Sequence, residues 1–187
     1  MKFAWLSEQL ARIESLSSRI EITQALAHIF AECRPREAEI VSYLTLGQLR
    51  PAYHGTQFNV AQKGMQQIIA QFLDISHDEL KQRLQQVGDL GTIIARGSWD
   101  IVEYLSIEEV YDRLVAFERI SGAGSQDEKM QYLLELFRIV TPQSAGLIVR
   151  MILGKLRLGF SEMTIIEALS WYLVHSKQYK DDIEHAY

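Results

Sequence analysis

Lys155 and Arg157 stand two residues apart in Gly154-Lys155-Leu156-Arg157-Leu158-Gly159. The flanking glycines predict a turn, and a locally extended backbone would project both cations to one side. Cationic side chains beside unshielded amide donors are the groups that contact phosphates. A second candidate is Gly122-Ala123-Gly124-Ser125-Gln126, with Lys129 one turn later. Small residues ahead of a helix start uncover backbone amides where the helix dipole favours an anion. Gly88-Asp89-Leu90-Gly91 is a third glycine-rich helix start, weakened as a phosphate site by Asp89.

The charge pattern supports a polyanionic partner. The formal charge of the 187-residue chain is -5, which excludes a uniformly basic coat. It is segregated, however. Residues 40–73 carry two basic groups and no carboxylate, and residues 136–160 carry four basic groups, Arg138, Arg150, Lys155 and Arg157, and again no carboxylate. Residues 74–135 hold thirteen acidic groups against six basic ones. Three glycine-rich turns and two carboxylate-free stretches suit a phosphate backbone better than one small anion.

Other chemistry finds little support. The five histidines include no pair at metal-ligand spacing, and Cys33 has no base near it in sequence. There is no P-loop, no serine nucleophile elbow and no zinc signature. Lys180-Asp181-Asp182 lacks the glycine that follows the acidic residue of a nucleotidyl-transfer motif, and Asp181, Asp182 and Glu184 read as a solvated helix end. The aromatics Tyr43, Phe72, Tyr132, Phe137 and Trp171 fit core faces.

The elements that must carry these groups are helices. Leu6, Leu10, Ile13 and Leu16 form one helical stripe. Ser18 with Glu21, Ser76 with Glu79, Ser106 with Glu109 and Ser125 with Glu128 are capping-box patterns. Thr141-Pro142 is the version with proline in the first turn, Pro35 opens a third helix that stops near Gly47, and Ser161 caps the last long helix. Asn59 is expected to cap the helix through Met65 and Ile68, after an aperiodic loop from Gly47. Sustained strand alternation is missing. The expectation is an all-α, compact bundle of about nine or ten short helices over residues 1–187, with two lobes conceivable about Gly97.

Hydrophobic residues make up 48% and charged ones 23%, an ordinary globular balance. One cysteine excludes a disulfide scaffold and points to a reducing compartment. No apolar run reaches membrane-spanning length, and the N-terminus is too charged for a signal peptide. The expected setting is intracellular, cytoplasmic and nucleoid-associated in a prokaryote.

Four blocks carry a family resemblance. Tyr43-Leu44-Thr45-Leu46-Gly47-Gln48-Leu49-Arg50-Pro51-Ala52-Tyr53 resembles the "YLxxGxLxPxY" stretch in the N-terminal DNA-binding domain of ATP-dependent DNA ligases. Val87-Gly88-Asp89-Leu90-Gly91 is similar to its "GDLG" segment, and Gly122 to Gln126 with Lys129 to its "GxGSQxxK" segment. The longest piece runs from Leu147 to Gly159 and continues to Thr164, Glu167 and Ala168. The blocks keep the family's order across about residues 5–187.

The resemblance implies an all-α domain that holds nicked duplex DNA without sequence preference, through phosphates and the minor groove, and positions the nick for a catalytic core. It places Lys155 and Arg157 on the family's basic positions, and Gly122, Gly124, Ser125 and Gln126 on a phosphate-facing loop. Gly88, Gly91, Lys129, Arg150, Gly154 and Gly159 complete the expected DNA-binding set. No catalytic or metal residue is expected in this piece. ATP, a divalent metal such as Mg and the AMP-accepting lysine would belong to the rest of a ligase serving replication, repair and recombination. The expected partners are DNA and that ligase's own catalytic domains, with the protein a monomer. Between the "GDLG" and "GxGSQ" blocks, Arg96-Gly97-Ser98-Trp99-Asp100-Ile101 replaces the sliding-clamp motif of archaeal relatives, so clamp docking is not expected. The competing reading is a helical protein-interaction scaffold without DNA binding.

Overall fold

Hydroxyl caps set the helix starts. Ser18, Ser76, Ser106, Thr141 and Ser161 each accept the backbone N–H three residues on, filling one of the orphan donors of a first turn. The computed structural model describes residues 1–101, 104–156 and 158–186. Its helices are α1 (Phe3–Glu14), α2 (Arg19–Ala31), α3 (Pro35–Thr45), α4 (Gln62–Phe72), α5 (His77–Val87), α6 (Leu90–Ala95), α7 (Ile107–Arg119), α8 (Ser125–Ile139), α9 (Pro142–Ile152), α10 (Glu162–Val174) and α11 (Lys180–Ala186). A 3-10 turn covers Ala52–His54. Eleven α-helices among the described residues slightly exceed the nine or ten expected, because α6 and α11 are only 6 and 7 residues long. Among the described residues there is no strand, only an isolated bridge between Lys2 and Ser106. The all-α expectation holds.

Two cap expectations fail. Asn59 adopts a left-handed backbone, φ 52°, and α4 starts three residues later behind Ala61, with no side-chain cap. Ser125 is the first residue inside α8, and Gly124 at φ 80° occupies the cap position. A glycine turns the chain into the helix there without needing a hydroxyl.

The core is built around α9. Its residues from Ser144 to Val149 are all buried, the mark of a helix enclosed on every side. Helices α1 and α6 pack against it, while α2 pairs with α10, α3 with α7 and α4 with α8. One apolar cluster runs from Phe3 to Ala168 and so crosses Gly97. Phe72 meets Trp99 and Phe137 edge-on at 4.8 and 5.6 Å, and the Trp99 indole N–H donates to the Val140 carbonyl at 3.0 Å. No helix among the described residues is long and apolar enough to cross a membrane.

Candidate nucleic-acid interface

The C-terminus of α9 makes the first part of the surface. Gly154 stands at φ 63°, its N–H donates to the Met151 carbonyl at 3.0 Å and the Lys155 N–H donates to the Arg150 carbonyl at 2.7 Å. This is a Schellman ending. It corrects one expectation: the first two amides of the turn are spent inside the protein, so the turn presents side chains instead. Leu156 and Leu158 anchor it, Leu158 being buried and Leu156 lying against Gly47. Lys155 is exposed and donates to the Gln62 carbonyl oxygen Oε1 at 2.7 Å. Gly159 stands at φ 66° with open space beside its Cα. Arg157 lies outside the described residues.

The contacts of Lys155 and Leu156 join the two carboxylate-free stretches. Gly47 belongs to a second Schellman ending, at φ 72°, in which the Gln48 N–H donates to the Tyr43 carbonyl at 2.9 Å. Gln62 opens α4, whose first turn holds no acidic residue and carries exposed Lys63. This junction therefore carries exposed Lys155 and Lys63 and no carboxylate from its own two stretches.

Residues 57–59 link this junction to the second glycine-rich motif. Gln126 donates to the Asn59 carbonyl at 3.4 Å, and Glu118 accepts the Gln57 N–H at 2.9 Å while pairing with Arg50. Gly122 and Gly124, at φ 97° and 80°, are exposed with nothing near the positions a Cβ would take. They bring the chain into α8 tightly: the Ser125 N–H donates to the Gly122 carbonyl at 3.3 Å and those of Asp127 and Glu128 to the Gly124 carbonyl at 3.2 and 3.3 Å. Of the first-turn amides it is therefore that of exposed Gln126 that is left for a ligand. Exposed Asp127 and Glu128 also sit in that first turn and compete for its dipole.

Lys129 and Arg150 do not face outward. Lys129 is 2% exposed, donates to the Phe58 carbonyl at 2.5 Å and lies 5.5 Å from the centre of the Phe117 ring. Burial pulls its ammonium below the ordinary lysine range, partly offset by the negative charge of Glu118. Its place is that of a strut holding the 57–59 loop on α8. Arg150 donates Nε to Asp89 at 2.8 Å, Nη1 to Glu14 at 2.7 Å and Nη2 to the Thr92 hydroxyl at 2.7 Å.

Gly88 and Gly91 part company in the same corner. Gly88 ends α5 at φ 76° and has open space beside it. Gly91 is buried where α6 crosses α9. Asp89 caps α6 by accepting the Thr92 N–H at 2.8 Å. Burial alone would raise its carboxyl, but the bonds from Thr92 and Arg150 outweigh that and hold it below the ordinary aspartate range.

Sequence reasoning did not single out Gln62 or Lys63, and it met Tyr53, 83% exposed on the 3-10 turn, only as the last residue of a family block. All three lie in the carboxylate-free stretch 40–73, which was the available signal. Among the described residues no group of three His, Cys, Asp or Glu side chains could hold a metal ion.

Comparison with known proteins gives a consistent result. The family described as "DNA ligase N terminus" matches residues 2–170. The chain is 34% identical to the DNA ligase of Pyrobaculum islandicum, over 91% of this chain and 31% of that protein. It is 35% identical to the DNA ligase of Pyrobaculum arsenaticum, over 100% of this chain and 33% of that protein. A probable DNA ligase of Dictyoglomus thermophilum is 34% identical, over 100% of this chain and 32% of its own length. The chain thus spans about a third of the length of these curated relatives.

Proposed function

Because the chain belongs to the DNA ligase N-terminal family, we propose that it grips nicked duplex DNA and positions the nick for the catalytic domains of an ATP-dependent ligase. The observation that carries this reading is the meeting of the two carboxylate-free stretches at Lys155 and Gln62. Phosphate contacts would come from Lys155, Arg157 and Lys63, and from the Gln126 amide in the first turn of α8, behind Gly122 and Gly124. Gly154 and Gly159 would shape the turn, and Gly88 would let the α5–α6 corner approach the backbone.

A ligase must seal any nick. The minor groove barely distinguishes A·T from T·A, so phosphate and groove-shape contacts suit the task. Their energy would hold and orient the substrate, which is help by positioning rather than by bond chemistry. In this reading ATP, the divalent metal and the AMP-accepting lysine belong to the catalytic domains, and this piece catalyses nothing itself. Its partners would be DNA and those domains, with the chain monomeric and acting where cellular DNA lies.

Titration of a fluorescent nicked duplex at several salt concentrations, beside an intact duplex, tests the reading. Binding should weaken linearly in log affinity against log salt, with a slope of about -0.9 per phosphate contacted. Absence of binding even at low salt would sink the proposal for this chain and favour the scaffold.

A further inference from the structure

We infer that Arg150 serves DNA binding through the protein: paired with Asp89, it is the positioning residue that fixes the turn carrying Lys155, and it takes no phosphate itself. This rests on the DNA-binding reading above and says how one of its groups works.

The electrostatics come first. The Arg150 guanidinium meets two carboxylates, Asp89 at 2.8 Å and Glu14 at 2.7 Å, and its side chain is 15% exposed. One cation between two anions leaves the cluster net negative, so an arriving phosphate would be repelled unless a partner were displaced. Displacing Asp89, only 6% exposed, would strand a buried charge without its partner. Of the two cations, Lys155 is the one that reaches the surface.

The geometry then supplies the link. Arg150 is the residue whose backbone carbonyl accepts the Lys155 N–H at 2.7 Å, so its main chain fixes the first step of the turn. Its side chain spans α1, α6 and α9 through Glu14, Asp89 and Thr92. Gly91 leaves the room for this path, since a Cβ there would stand 2.5 Å from Arg150 Cγ. The last turn of α9 is therefore held in rotation and height by its own arginine, and Lys155 reaches Gln62 from that platform.

Asp89→Asn separates this role from a direct contact, because the two predict opposite signs. Near DNA, removing a negative charge should strengthen binding or leave it unchanged. A positioning pair predicts weakening, by about three- to tenfold for a nicked duplex. In a Lys155→Ala background the same Asp89→Asn change should have little further effect, because the group it positions is gone. Thr92→Val provides a charge-neutral second variant, expected to weaken binding in the same direction should Asp89→Asn unfold the chain; helical content and thermal unfolding identify that case. Unchanged or tighter binding by the Asp89 or Thr92 variant would overturn the inference. So would an equal loss in the Lys155→Ala background, since the effect would then be global. Failure of the unsubstituted chain to bind at low salt would instead remove the reading on which the inference rests.

Discussion

Gly91 and Gly146 occupy the space where each other's side chain would go: a Cβ on either would stand 2.7 Å from the carbonyl oxygen of its opposite number. Helices α6 and α9 approach backbone to backbone at this point, which no other residue type permits without a shift. Gly91→Ala should destabilise the protein by about 1–3 kcal/mol through overpacking. Gly64 makes the contrast. It lies inside α4 with only Val60 near, at 3.9 Å, so Gly64→Ala should stabilise by about 0.5–1 kcal/mol. Urea unfolding of the two variants reads both signs; a neutral Gly91→Ala would mean that the crossing relaxes freely.

Replacing Lys155 by alanine should weaken nicked-duplex binding and lower the salt slope by about one, with helical content unchanged. The Lys155→Ala, Arg157→Ala double variant should bind more weakly still. Circular dichroism beside the salt titration distinguishes a weakened grip on phosphate from unfolding. Equal affinity across the series would place the DNA-facing surface elsewhere.

Glu167 in α10 is 4% exposed and accepts from Arg19 at 3.2 Å and Lys177 at 2.9 Å. Burial pushes its carboxyl up, but the Lys177 bond and the charges of Lys177, Arg19 and Lys180 overcome this and leave it below the ordinary glutamate range. A folded-state value below the unfolded one means a stabilising contribution that is complete above about pH 4.3 and lost as pH falls through the folded value. Glu167→Gln should cost on the order of 1–2 kcal/mol at neutral pH, since both cations are partly solvated. It should also flatten the acid limb of a stability profile. An unchanged acid limb would remove Glu167 from the account.

Cys33 is half-buried, and burial followed by the negative charge of Glu37 pushes its thiol up to about 11. The thiolate is the reactive form, so a chromogenic disulfide reagent should modify the folded protein at pH 8 much more slowly than the urea-unfolded chain. Equal rates would show that Cys33 opens readily to solvent.

Helix boundaries were largely legible because capping is local. A hydroxyl and the amide three residues on suffice, as at Ser106 and Thr141. Asn59 and Ser125 misled for the same reason: both have the composition of a cap, but the left-handed residues Asn59 and Gly124 redirect the chain around them. The candidate site was legible only as charge segregation, and the basic Lys155 turn does lie beside the other carboxylate-free stretch. The inward facing of Lys129 and Arg150 was not. Their partners lie far away along the chain, Phe58 for the one and Glu14 and Asp89 for the other. A cation's sequence neighbours say nothing about carboxylates and carbonyls that the fold brings to it.

The two helix endings at Gly47 and Gly154 have a kinetic meaning. Each backbone is already closed by its own hydrogen bonds, and Leu156 packs across from one to the other. A partner landing there meets a backbone that has little left to order, so the entropy of arranging that surface is spent when the chain folds and not at encounter. Capture of this kind should depend on diffusion and long-range attraction more than on any slow loop rearrangement.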